Sequence, residues 1–112
     1  MAESFYNAEA EKKAAEAKKE ADLKHARDIG DLRKLIELPE GRRFVWNQLA
    51  RAGVFSPSFT LNSVQTGYNE GARSVGIALL ADLMEAKPEA FYQMFREANS
   101  EAKSKKQEEA NG

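Results

Sequence analysis

The chain reads as an all-α protein: a small four-helix domain, two helical hairpins around a central helix, with a charged N-terminal helical extension and a frayed C-terminal tail. Three observations predict it. From Asn62 to Ala86, Tyr68, Ala72, Val75, Gly76, Leu79 and Leu83 recur at three- and four-residue steps, which places them on one face of a helix. Proline and glycine fall where helices start and stop, at Pro39, Gly53 and Pro88. No strand-like alternation is long enough to matter, and no internal repeat is evident.

Met1 to Arg27 forms the extension, a charged arm of six acids and six bases with alanine at 2, 8, 10, 14, 15, 17, 21 and 26. Glu9 with Lys13 and Glu20 with Lys24 are acid-before-base pairs four apart, each adding about 0.2–0.5 kcal/mol to a helix. Leu23 is its only large aliphatic, so the arm buries little and reads as a solvated helix. Phe5 and Tyr6 near the free end favour the alternative, a helix that orders against a partner.

The compact domain spans 28–98. Asp28, with Asp31 three residues on, opens a short helix whose inward face is Leu32, Leu35 and Ile36, and Gly30 marks a candidate break from the arm. Pro39 starts a second helix running to Ala52, with Phe44, Val45, Trp46, Leu49 and Ala50 as packing candidates and Gly53 as its stop. Val54 to Phe59 is a loop whose Phe55 and Phe59 should fold under the helices. Asn62, with Gln65 three residues later, caps the central helix. Lys87 before Pro88 ends it, and Pro88 opens a last helix with Phe91, Met94, Phe95 and Ala98 on one face. Residues 99–112 are polar and are expected to fray as a disordered tail.

The central helix carries glycines that act as notches. Gly67 and Gly71 are four apart, as are Ala72 and Gly76, so each pair offers a groove for a neighbouring segment. A helical glycine costs about 1 kcal/mol relative to alanine. Gly67, Gly71 and Gly76 are therefore read as helix-packing positions, with neighbours nestling against a mostly apolar rod.

Composition limits the function. At 112 residues the chain suits one domain, and a net charge of −1 with 31% charged residues provides no field to draw in nucleic acid or an anionic membrane. The absence of cysteine rules out disulfides and thiolate chemistry. The acidic, polar start does not read as a secretory signal, and the longest apolar run, Ile77 to Ala81, falls far short of the roughly 20 residues a membrane span needs. Host cytoplasm or a virion is the expected location.

No catalytic, cofactor-binding or metal set is predicted. The single histidine, His25, lacks a second histidine at four-residue spacing and reads as solvent-facing. Asp82 and Glu85 lie three apart and read as an exposed polar edge. No phosphate loop or strand-linked glycine fingerprint occurs.

The polar residues that stand out are Arg42, Arg43, Asn47, Asn69, Glu70 and Arg73. One reading is a structural seam, in which Asn47, Asn69, Glu70 and Arg73 fix the register where the second helix crosses the notched one. The other is an exposed anchor of Arg42, Arg43, Trp46 and Arg73 for an acidic partner or phosphate, since tryptophan and arginine dominate interface energetics.

Gly41-Arg42-Arg43-Phe44, Ala52-Gly53-Val54-Phe55 with Ser58-Phe59, Asn62-Ser63, Thr66, Asn69-Glu70-Gly71, Arg73-Ser74-Val75-Gly76, Leu79-Leu80 and Pro88 together resemble a family of small tailed-bacteriophage proteins. That family is typified by a small Bordetella-phage protein and is usually encoded among head-assembly genes, near the terminase and portal. The resemblance covers about Asp31 to Ala98, leaving the charged arms outside. It implies a non-enzymatic accessory role with a protein partner from the virion or packaging machinery, and it carries over no catalytic residue. Self-association is a further expectation. A regulatory inhibitor of a host enzyme or nuclease, expressed early, is the alternative, and direct nucleic-acid binding is a third, disfavoured by the charge balance.

Overall fold

The computed structural model contains four helices: α1 (Ala2–Leu35), α2 (Pro39–Arg51), α3 (Ser63–Ala86) and α4 (Pro88–Asn111). The structure describes residues 2–56 and 62–111, with side chains from residue 7. The Phe5 and Tyr6 side chains and Phe59 thus lie outside the described residues.

The local start and stop signals act as their chemistry dictates. Pro39 and Pro88 open α2 and α4, each followed by an acid in the first turn, where the helix dipole favours negative charge. Asn62 caps α3: its Oδ1 accepts from the Val64 N–H at 2.9 Å and the Gln65 N–H at 3.1 Å. Beyond α2, Gly53 takes φ 78°, the left-handed conformation that side chains resist, and turns the chain away. Gly41 sits so close to the Leu35 carbonyl that a Cβ there would collide with it, which lets α2 start tight against the end of α1.

α3 packs against each of the other three helices, and α2 packs against both α3 and α4. α1 lies chiefly along α3 and is not closed into a hairpin with α2. The core is Ile29, Ile36, Val45, Leu49, Leu83, Ala86, Ala90 and Met94, with Leu32, Trp46, Val54, Leu79, Leu80 and Phe91 packed around it. Leu49 and Leu83 are fully buried, each contributing about 1.5–3 kcal/mol through removal from water.

Three expectations are corrected. Gly30 does not break the first helix: α1 runs unbroken for 34 residues, about 51 Å at 1.5 Å per residue. Packing of Ile29 and Ile36 into the core offsets the glycine's cost, and burial begins at Ile29 while the helix itself begins far earlier. Residues 99–111 are helical, not disordered, and extend α4 with every side chain exposed. Their Ala, Glu, Lys and Gln content favours helix without a core, and neither glycine nor proline interrupts them. Finally, neighbours do not nestle along the whole of α3. Its buried residues are Gly76, Leu83 and Ala86, while Val64, Tyr68 and Val75 are more than 70% exposed. The other helices converge on its C-terminal half, leaving the first turns uncovered.

Candidate functional site

The two adjacent arginines of α2 have opposite fates. Arg42 points inward: its Nε donates to Glu97 Oε1 at 3.0 Å and Oε2 at 3.2 Å, and its Nη1 donates to the Ile36 and Glu37 carbonyls, both at 3.1 Å. Those carbonyls sit just past α1, where no further helical N–H reaches them, so one guanidinium finishes α1 and ties it to α4. Arg33 does the same for α3, donating from Nε to the Ala86 carbonyl at 2.9 Å. Arg43 faces solvent.

α2 runs antiparallel to α4, with Arg42 against Glu97 and Trp46, one turn later, against Phe91 and Phe95. Between the two helices lies a cleft of about 250 Å³ lined by Pro39, Arg42, Arg43, Trp46, Asn47, Met94, Glu97, Ala98 and Glu101. Trp46 anchors an aromatic cluster beside it: its ring stacks on Phe55 at 4.8 Å and lies 6.0 Å from Phe91 and 6.2 Å from Phe95, and Phe91 meets Tyr92 edge-on at 5.8 Å. Phe55, Tyr92 and Phe95 remain 47–61% exposed. Phe55 thus folds onto α2, as its size requires, without being enclosed.

The other singled-out residues do not join this cleft. Asn69 accepts from Gln65 Nε2 at 2.9 Å along its own helix, and Glu70 is exposed. Arg73 is half-buried, with an Nε that has no hydrogen-bond partner among the described residues, and it does not line the cleft. No Glu70–Arg73 ion pair occurs among the described residues, whose pairs are Lys24–Asp28, His25–Glu85 and Arg42–Glu97. The seam expected from Asn47, Asn69, Glu70 and Arg73 is therefore replaced by one built from Arg42, Glu97 and the carbonyls after α1. Asn47 faces the cleft on the α4 side of α2, whereas Asn69 approaches the opposite end, near Arg51 to Gly53. Of the three notch glycines, Gly76 alone packs: a Cβ there would lie 2.5 Å from Val54 Cγ2 and 2.6 Å from Ala52 Cβ. Gly67 and Gly71 face open space, with nothing within 4 Å of a Cβ placed at either.

A second polar cluster joins α1 to α3. His25 Nε2 lies 2.8 Å from Glu85 Oε2, and one ligand atom from each of His25, Asp82 and Glu85 falls within 4.8 Å of the others. The Glu85 hydrogen bond, reinforced by the charges of Glu85, Asp82 and Asp28, raises the His25 pKa above 6.5. Neighbouring Asp28 is held below its ordinary 3.8, first by its hydrogen bond from Lys24. Lys24 therefore pairs forward with Asp28 at 2.9 Å instead of back to Glu20. Sequence reading missed this cluster because its partners lie 60 residues apart. Glu97 was missed because an acid on a polar stretch of α4 carries no local sign of an inward partner.

No described helix is long and apolar enough to cross a membrane. Comparison with curated proteins and with solved structures returns no match. The model of the Bbp19-like phage protein family matches residues 32–96, a span that contains Arg42, Trp46, Gly76, Glu85 and almost all of the core. With more than half of its length matched, and with every core position but Ile29 inside the match, the chain belongs to the Bbp19-like phage protein family.

Proposed function

We propose that this chain is a non-enzymatic accessory protein of a tailed phage, a helical protein–protein interaction module that serves virion structure or head assembly and DNA packaging. The observation that carries the reading is the aromatic face around Trp46, whose Phe55, Tyr92 and Phe95 rings are about half exposed beside a cleft. Large contiguous rings held on rigid helices are the usual anchors of protein interfaces. Arg43 and Asn47 give that face a polar rim, whereas Arg42 is committed to Glu97 and the carbonyls after α1 and contributes from beneath. The partner is a virion or packaging protein.

Mass spectrometry of purified virions and of assembly intermediates tests the reading, together with phage carrying Tyr92→Ser and Phe95→Ser. The chain should be present in one of these particles, and the double variant should be depleted from them while keeping wild-type helicity. Absence of the wild-type chain from both, with no assembly or packaging defect on its deletion, would refute the proposal.

A further inference from the structure

The geometry points to a divalent transition-metal site at the root of the α1 arm, formed by His25 of α1 with Asp82 and Glu85 of α3. Asp82 and Glu85 are three residues apart, so both carboxylates leave the same side of α3 within one turn. The packing of α1 along α3 brings the single imidazole onto them, with one donor atom of each residue inside a 4.8 Å span. Three oxygen and nitrogen donors from two elements match the ligand count of an open zinc site, in which water fills the fourth position.

The donor types choose the ion. Carboxylates alone suit magnesium or calcium, whereas an imidazole nitrogen favours zinc and its neighbours in the transition series. Asp28 does not compete as a ligand, because Lys24 holds its carboxylate at 2.9 Å. Asp82 has no such partner among the described ion pairs and hydrogen bonds, and it is half-buried beside the His25–Glu85 pair. Zinc bonds of about 2.0–2.2 Å place tetrahedral ligand atoms roughly 3.3 Å apart. The present 2.8 Å contact between His25 Nε2 and Glu85 Oε2 then opens by about half an ångström, within the reach of exposed side-chain rotamers. An ion there replaces a single hydrogen bond with a three-point clamp on the helix pair, just where α1 leaves the core.

The test uses the full chain without a histidine tag, at about pH 8, since ligation requires a deprotonated imidazole and rising pH favours it. Because His25 is the only histidine, its imidazole resonances report the site without ambiguity. Titration with Zn²⁺ should shift them in a saturable, one-to-one manner and raise the thermal midpoint, while Mg²⁺ should do neither. His25→Gln, Asp82→Asn and Glu85→Gln should each weaken Zn²⁺ binding by more than about tenfold, since even outer-shell partners are worth that much. All three positions lie outside the core, and Trp46 fluorescence verifies that the variants fold. Imidazole resonances that do not move at millimolar Zn²⁺, or wild-type affinity in any of the three variants, would overturn the assignment.

Discussion

Replacing Arg42 tests the idea that one buried guanidinium organises the end of α1, the start of α2 and the middle of α4. Arg42→Ala deletes the four contacts of 3.0–3.2 Å to Glu97, Ile36 and Glu37. Two of them go to carbonyls that no helical N–H satisfies, and stranding buried acceptors costs about 1–3 kcal/mol. The Glu97 pair adds less than a fully buried one, because Glu97 is 42% exposed while Arg42 is 11% exposed at the side chain. The sum is about 3 kcal/mol, at the lower end of the roughly 3–5 kcal/mol that breaking a fully enclosed pair costs. In a domain this small, each kcal/mol moves the melting temperature by about 4–8 °C, so a fall of about 12–24 °C follows. Trp46 fluorescence is the appropriate probe, because Trp46 lines the same cleft as Arg42 and Glu97 and ignores fraying of the arms. Arg42→Lys should recover only part of the loss, as an ammonium lacks the fork that spans a carboxylate and two carbonyls. Glu97→Gln should cost about 1 kcal/mol, since it leaves the carbonyls satisfied. An Arg42→Ala protein melting within about 3 °C of wild type would refute the reasoning.

Four further outcomes follow from the packing and from the His25–Glu85 pair. Gly71→Ala should stabilise the protein by up to about 1 kcal/mol in chemical denaturation, because its Cβ enters open space and helix propensity improves. Gly76→Ala should instead destabilise it, by up to about 2 kcal/mol: overpacking against Ala52 and the stiff Val54 costs about 1–3 kcal/mol, against a propensity gain of about 1. Leu83→Ala, at a fully buried position, should cost about 2–5 kcal/mol in the same measurement. Acidification should strengthen the contact between α1 and α3: the folded-state pKa of His25 is raised, so its contribution is complete below 6.5 and fades as pH rises through the raised value. The thermal midpoints of wild type and His25→Gln, measured without added metal, should therefore converge at high pH.

What could be read from the sequence was what the chain decides locally. Asn62, Pro39, Pro88 and Gly53 set helix ends through their own backbone chemistry, and each acts within a turn of where it stands. The resemblance carried by residues 41–88 led to the matched family. Harder to read was anything that depends on the phase of one helix against another. Arg42 and Arg43 are equivalent by composition, and only the position of Glu97 across the cleft decides which one turns inward. Gly67 with Gly71 and Ala72 with Gly76 share a four-residue spacing, yet a notch matters only if a neighbour reaches it, and Ala52 and Val54 reach only Gly76. The tail has no core to join yet is helical, because its helix formers extend α4 without burial. His25 found its carboxylates through tertiary packing that no spacing rule encodes.

The Cα envelope measures 82 × 40 × 16 Å, and its short dimension leaves room for two layers of helices, with axes about 8–10 Å apart, and no third. A body two helices thick has no interior beyond the seam between its layers, so burial as full as that of Leu49 and Met94 is confined to the few positions where helices meet face to face. The rings beside Trp46 stay half-bare at the margin of so thin a plate. A molecule of this outline can slide into a narrow seam between larger bodies, where a rounded one of equal mass would be kept out by its girth.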